Sequence, residues 1–456
     1  MPSGTWRRWP SSARRTARPT RPFPVAAVFR AHTSQATAPG GVAGRAQSLR
    51  PRALALLPLL FPLAASASPG LNPLGTAVGG TGSTLHYPGD TRSNPAAPAA
   101  LTATSDNAVG LLGLTFGYRL GPLDDLEDQV DYLDAQLKRD DLTATEALNL
   151  KDELDSLLGQ LEQDGYARGH AGIQWPGTPL LLESESLGGT LEVSAETLGR
   201  AAVDVLAEPV RVETDGAGDP FLDTDAAALF RYAEVTSLGL GYSRELSRQA
   251  DGTLYGGVRY RHHSVHLARE AVVYDRTADD PFETPDEPDY LGSDGGSIDL
   301  GLTWAADHYT LQAGFLHLGS PSFDWQEQTA AVDGYPESPT WTMEPRFTYA
   351  AAVHTDDRRW YAGARLDLGE REDVFGEPVQ WFAADAGFAP GVFWFPDIRV
   401  GVRGDRASNL TLYTAGVTFF RRLHLDLART LETVKTGGDE VPRAATAALT
   451  LEHRFE

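Results

Sequence analysis

Three histidines fall within five residues at His262-His263-Ser264-Val265-His266, a spacing that invites a metal reading. On an extended strand His262 and His266 share a face but stand about 13 Å apart, too far for one ion. A polar lumen or loop-base role is the expectation for them. The carboxylate-rich stretch from Asp275 to Asp294 could hold calcium, yet it lacks the ordered Asp-x-Asp-x-Asp-Gly spacing of a defined calcium loop. No Gly-x-Ser-x-Gly elbow, P-loop or His-Glu-x-x-His occurs, and Gly79-Gly80-Thr81-Gly82 neither follows a strand nor opens a helix. The chain has no cysteine, which removes disulfides, thiolate metal sites and cysteine nucleophiles together. The expectation is therefore no catalytic residue, no metal and no cofactor. A Ser/His/Asp set assembled from distant strands stays open as a reading.

Most of the chain must form strands. Leu112, Leu114, Phe116, Tyr118 and Leu120 alternate with Gly113, Thr115, Gly117 and Arg119, and Ile298, Leu300, Leu302 and Trp304 alternate with Asp299, Gly301 and Thr303. The same two-residue period recurs at Ala364, Leu366 and Leu368 against Arg365 and Asp367, and at Ile398, Val400 and Val402 against Arg399 and Arg403. Fourteen strands are expected, near 107–120, 168–184, 187–196, 235–246, 253–268, 297–305, 309–318, 346–354, 359–368, 378–389, 397–404, 409–420, 422–431 and 443–455. Alternation alone fits a soluble sandwich, with the apolar face inward, as well as a membrane barrel, with it outward.

Loop lengths favour the barrel. Short connections such as Arg421-Arg422, Ala305 to His308 and Thr355 to Arg358 alternate with long acidic ones such as Glu270 to Gly296. Aromatics gather beside the short turns (Trp304 and Tyr309, Trp360 and Tyr361, Phe393-Trp394-Phe395, Phe419 and Phe420), as in an interfacial girdle. The fold expected is all-β, an antiparallel transmembrane β-barrel of about 14 strands over residues 106–456. Residues 122–163 break the pattern with helical spacing: Leu123, Leu126, Val130, Leu133 and Leu137, then Ala147, Leu150, Leu154, Leu157 and Leu161. With a Thr143 to Glu146 capping box, this predicts an inserted αα-hairpin whose apolar stripes face each other.

Arg45, Arg50 and Arg52 precede the apolar run Ala53 to Ala65, and small residues follow to Ala67, the order of a Sec-type signal peptide. Residues 1–67 are thus expected to be a spurious extension followed by that signal, the mature chain starting near Ser68. Its removal takes away ten arginines and no acid, leaving 29 basic against 62 acidic residues, which argues against direct nucleic-acid binding. Residues 68–105, rich in Gly, Ala and Pro, are expected to fold into the lumen as a hatch. Its candidate contact residues are Asn94, Pro95 and Ala96. The lumen-facing candidates are Arg119, Arg259, Arg365, Asp367, Arg399 and Arg403, whose arginines can bond to the hatch carbonyls.

Ser93-Asn94-Pro95-Ala96-Ala97, just before the first strand, resembles the Asn-Pro-Ala signature of FadL-like outer-membrane barrels. The runs Ser297 to Leu302, Leu316 to Phe323, Arg365 to Leu368 and Ile398 to Val402, with Gln380 opening a strand and the hairpin after strand one, look most like the barrel family called conjugal transfer protein TraF. The likeness covers roughly residues 85–456. The thioredoxin-like family of the same name is a different one, which a chain without cysteine cannot join. The FadL resemblance implies a fourteen-stranded barrel with a lumenal N-terminal hatch and passage of hydrophobic molecules. The TraF resemblance implies a link to plasmid transfer.

The function expected is that of a non-enzymatic outer-membrane barrel, serving envelope passage of hydrophobic solutes or an accessory role in plasmid transfer. Its partners would be outer-membrane lipid, hydrophobic small molecules and the conjugation machinery. The alternatives are a soluble secreted β-rich binding or adhesion protein, which cell fractionation separates, and a barrel hydrolase, which a serine-directed probe tests.

Overall fold

The computed structural model describes residues 88–103, 108–278, 290–326 and 340–454, with Leu85 and Phe282. The signal-peptide reading, most of residues 68–87 with 104–105 of the 68–105 segment, and half of the Asp275 to Asp294 loop lie outside them.

Fourteen antiparallel strands close into a ring. They are β1 (Ala108–Leu120), β2 (Ala167–Gln174), β3 (Gly189–Leu206), β4 (Ala227–Gln249), β5 (Gly252–Val273), β6 (Leu291–Ala305) and β7 (Tyr309–Leu318), then β8 (Arg346–His354), β9 (Trp360–Leu368), β10 (Trp381–Phe388), β11 (Asp397–Asp405), β12 (Leu410–Phe419), β13 (Leu423–Arg429) and β14 (Ala444–Arg454). Each pairs with its neighbour in sequence, and β14 pairs with β1. Closure leaves no open edge.

The single strand expected at 168–184 is two. Pro176 has no N–H to give a ladder, the chain leaves the wall after Gln174, and Leu180–Ser184 returns to pair with the first residues of β3. The short-turn rule has an exception on the other side, because β11 and β12 are joined at the long-connection end by residues 406–409 alone.

The two faces settle sandwich against barrel. Ile298, Leu300 and Leu302 are 45%, 43% and 45% exposed, whereas Ser297, Asp299 and Thr303, on the alternate positions, are almost fully buried. β5, β11 and β13 repeat this inversion: Tyr260, Val400 and Leu427 face out, and Arg259, Arg399 and Asp426 face in. Apolar side chains on a continuous outer belt and charges inside are the reverse of a soluble core, and they define a membrane-spanning barrel. No described helix is long and apolar enough to cross a membrane. The rings of Trp360, Phe388 and Phe395 contact one another in sequence beside the short turns, as do those of Phe393 and Phe420. Tyr361, expected in that girdle, points inward and is buried, being one residue out of phase with Trp360.

Placing a guanidinium on the outer belt should therefore be costly. Val400→Arg at mid-strand β11 is expected to lower barrel stability by roughly 2–4 kcal/mol. Urea unfolding in lipid vesicles measures this, and a midpoint unchanged from the parent protein would place that face out of contact with lipid.

At the long-connection end, α2 (Leu126–Leu137) and α3 (Ala144–Asp164) form the expected hairpin. It follows the short helix α1 (Ala97–Thr102) and β1 in the chain. Thr143 caps α3: its hydroxyl accepts from Glu146 N while the Glu146 carboxylate accepts from Thr143 N at 2.9 Å. The apolar stripe of α3 runs through Leu150, Leu154, Leu158 and Leu161, with Leu157 only partly buried. The stripes meet each other and also a small hairpin of 211–214 and 220–223, through Val210 and Leu222, giving this end an apolar core of its own.

Two other long connections fold into the barrel mouth. Phe323, Trp325, Trp341 and Met343 from the β7–β8 connection and Val374 and Phe375 from the β9–β10 connection pack on inward Val265 and Leu267. The guanidiniums of Arg200 and Arg231 each lie 5.1 Å from the ring centre of Phe375.

Candidate functional site

Residues 88–103 pack against the inner wall, and Asn94 fixes them there. Its Nδ2 donates to two backbone carbonyls on neighbouring strands, Leu302 O at 2.9 Å and Ala313 O at 3.3 Å. Its Oδ1 accepts from Ala96 N at 2.9 Å, a local turn typical of asparagine. One side chain thus uses both donor hydrogens on the wall and its acceptor on its own chain. From there the chain enters α1, whose Ala97, Ala100 and Leu101 are buried and whose Ala99 N donates to Ser243 Oγ at 3.0 Å.

This close approach needs missing side chains. A Cβ at Gly301 would lie 2.0 Å from Asn94 Oδ1, and one at Gly257 would lie 1.9 Å from Pro95 O. The two glycines are register partners on β5 and β6, so β-carbons are absent from the wall where Asn94-Pro95 presses on it. Gly301→Ala is accordingly expected to displace the segment at a cost of about 1–3 kcal/mol. Because the chain has no cysteine, an Ala100→Cys reporter gives a clean measurement: its maleimide labelling should quicken at least tenfold, and an unchanged rate counts against the contact.

Around the contact lies a buried charge network. Arg259, fully buried, pairs with Asp299 (3.0 Å) and Glu192 (2.9 Å) and donates to Arg92 O at 2.7 Å. Arg261 bridges Asp299 (2.8 Å) and Glu196 (3.0 Å), and Arg92 reaches Glu196 at 3.2 Å and Gly177 O at 3.2 Å. Burial lowers Arg92 to about 10, with Glu196 opposing the shift, so it stays charged at neutral pH. The second oxygen of Asp299 accepts from His317 N at 2.9 Å.

Of the arginines expected to meet the hatch, Arg259 does so through that carbonyl. Arg119 instead donates to Tyr166 Oη at 3.1 Å, and Arg399 pairs with Asp426 at 2.7 Å. Asp367 pairs with Arg346 at 2.8 Å, Arg403 lies over the Trp381 ring, and Arg365 stands on the same inner face. Of the histidines, His263 points inward between Ser237 and Ser297, whereas His262 is half exposed, 3.7 Å from Asp294. Among the described residues no group of three or more His, Asp or Glu is placed to hold a metal.

Sequence reading passed over Glu192, Glu196, Arg261 and Asp299. The signal was present in Arg259 and Arg261, two residues apart and hence on one face, opposite an acid embedded in the Ile298 to Leu302 alternation.

A closed fourteen-stranded barrel with an apolar exterior, a charged interior and an N-terminal segment bonded to its inner wall defines the class: a membrane-spanning barrel with an occupied lumen. The chain belongs to the family described as F plasmid transfer operon, TraF, protein, which matches residues 92–367, from the buried Arg92 to the end of β9. Solved structures similar to it include the TodX deltaS2S3 mutant monoaromatic hydrocarbon channel (11% identity, 87% of this chain and 100% of that one, TM-score 0.42). The Ralstonia pickettii toluene transporter TbuX (11%, 85% and 99%, TM-score 0.39) and a Pseudomonas aeruginosa FadL homologue (11%, 86% and 100%, TM-score 0.39) are similar too. Among curated proteins, none matches the sequence.

Proposed function

We propose that this chain is a non-enzymatic outer-membrane barrel whose N-terminal segment, residues 68–105, plugs the lumen and whose displacement admits small hydrophobic solutes. The observation that carries the reading is the Asn94 contact: with the Arg92–Glu196 ion pair and the bonds from Arg259 to Arg92 O and from Ala99 N to Ser243 Oγ, it holds the segment by attachments separate from the strand pairing of the wall. The hydrophobic class is supported by the apolar cluster of Phe323, Trp325, Trp341, Met343 and Phe375 at the barrel mouth. With the start of β1 and the end of β14 at the short-turn side, those turns face the periplasm and the helical hairpin faces outward. Family membership supports a role in plasmid transfer, with the barrel as an envelope accessory to it.

Cell fractionation with unheated gel electrophoresis tests the location. A heat-modifiable band in the outer-membrane fraction is expected, and recovery as soluble protein would end the reading. Liposomes bearing the protein should take up naphthalene faster than empty ones, and equal uptake would remove the solute role. Donor cells lacking the protein should transfer plasmid less often, and an unchanged frequency would remove the transfer role.

A further inference from the structure

The short-turn rim carries a sector that neither the lumen nor the Asn94 contact uses. The β10–β11 turn, residues 389–396, leaves Phe393, Trp394 and Phe395 exposed, Trp394 by 82%. The Phe393 ring centre lies 5.3 Å from that of Phe420 in the β12–β13 turn, and Phe395 lies 6.3 Å from Phe388. Phe388 is the register partner of Ile398, an outward residue of the apolar belt. The aromatic turn is therefore continuous with the lipid-facing surface.

Next to Phe420 in the chain stand Arg421 and Arg422. Among the described residues neither has a carboxylate partner, whereas Arg248 and Arg359 elsewhere on the rim hold Glu245 at 2.6 Å and Asp357 at 3.3 Å. The flanking carboxylates Asp397 and Glu452 are buried on the inner face, Glu452 bonded to His424 at 2.9 Å. In a chain with 62 acidic residues against 39 basic, residues 389–396 and 420–422 hold no acid. The connections after β2, β4, β6 and β8 each hold at least one, as Glu183, Asp251, Asp307 and Asp357. The β12–β13 turn is also strained. It closes with Arg422 N donating to Phe419 O at 2.9 Å, and the two residues between, Phe420 and Arg421, have φ of 54° and 56°. That region favours Gly and Asn over side chains of this bulk. Strain retained at such a turn points to a role for the two side chains.

We infer that this sector binds an anionic glycerophospholipid, its phosphate held by Arg421 and Arg422 and its acyl chains laid against Phe393, Trp394 and Phe395. Guanidinium matches phosphate in shape and charge, and lipid phosphates lie where an apolar belt gives way to water. Continuity of the rings with the belt selects a lipid over a soluble partner. The inference stands on the barrel in its membrane and is independent of the plug, the solute and the transfer role.

The test is native mass spectrometry of the full-length, detergent-folded protein titrated separately with phosphatidylglycerol and with phosphatidylcholine of identical acyl chains. Phosphatidylglycerol is expected to bind about tenfold more tightly. Arg421→Gln/Arg422→Gln should bring the two lipids to within about twofold of each other. Phe420→Asn/Arg421→Gly, which supplies the residues this turn favours and so does not endanger the fold, should weaken phosphatidylglycerol about fivefold through the lost charge. Trp394→Ala should weaken both lipids alike. Arg248→Gln, on the same rim but already paired with Glu245, should leave the preference unchanged. Folding of each variant is checked by heat-modifiable migration. Equal affinity of the parent protein for the two lipids, an undiminished preference in folded Arg421→Gln/Arg422→Gln, or an equal loss in Arg248→Gln overturns the site.

Discussion

Asn94→Asp is expected to raise the conductance of the barrel in planar bilayers and to make Ala100→Cys accessible to maleimide. The substitution keeps the shape of the side chain and removes its two donor hydrogens. A carboxylate would then face the carbonyls of Leu302 and Ala313, now 2.9 and 3.3 Å from the amide nitrogen. Two bonds are lost and two oxygens are opposed to a charge, which at about 1–3 kcal/mol for each bond amounts to roughly 3 kcal/mol. If the segment moves between a seated and a displaced state, that shift multiplies the displaced population by about a hundredfold. Deleting residues 88–103 should give a larger conductance still and should sensitise cells to bulky antibiotics. An Asn94→Asp barrel that is folded in the membrane, with parental conductance and labelling, would mean that the segment is held by something other than this side chain and does not gate the lumen.

How much of this was legible in the sequence depends on which kind of signal each feature leaves. Strand alternation is written in side-chain chemistry, so Ile298, Leu300 and Leu302 announce a strand and its apolar face directly. That the face points outward is a property of closure, at which only loop asymmetry and the aromatics beside the short turns hint. Asn94 stands out as a short motif, but its acceptors do not, because Leu302 and Ala313 contribute backbone carbonyls and any residue carries those. Gly257 and Gly301 read as small residues on a polar face. Their role appears when Pro95 and Asn94 arrive from more than 150 residues away in sequence. The inward fold of Phe375 is hidden for a related reason: a lone aromatic among Asp373, Glu377 and Gly376 resembles an exposed loop until Arg200 and Arg231 are brought to its ring. The break at Pro176 was visible as a proline, yet flanking apolar residues carried the strand pattern across it.

Arg259→Met should be the most destabilising change in the lumen. Arg259 holds two carboxylates at once, and Glu192 and Asp299 have side-chain exposures of 1% and 0%. Removing the cation leaves buried charge uncompensated, at a cost of about 3–5 kcal/mol for a broken buried pair. The two acids do not suffer equally. Asp299 keeps Arg261 at 2.8 Å and the His317 N–H at 2.9 Å, whereas Glu192 keeps only the longer-range fields of Arg261 and Arg92. Most of the loss should therefore sit on Glu192, and adding Glu192→Gln to Arg259→Met should recover more stability than adding Asp299→Asn. Urea unfolding of the three variants in lipid vesicles, read by heat-modifiable migration, orders them. The same variant also loses the bond to Arg92 O, so its N-terminal segment should label faster even where the barrel stays folded, and Glu192→Gln should not reverse that. Equal rescue by the two second substitutions would show that the carboxylates share their charge through Arg261 as one unit. Parental stability of Arg259→Met would show that water already reaches this part of the lumen and that the ion pairs do not hold the wall.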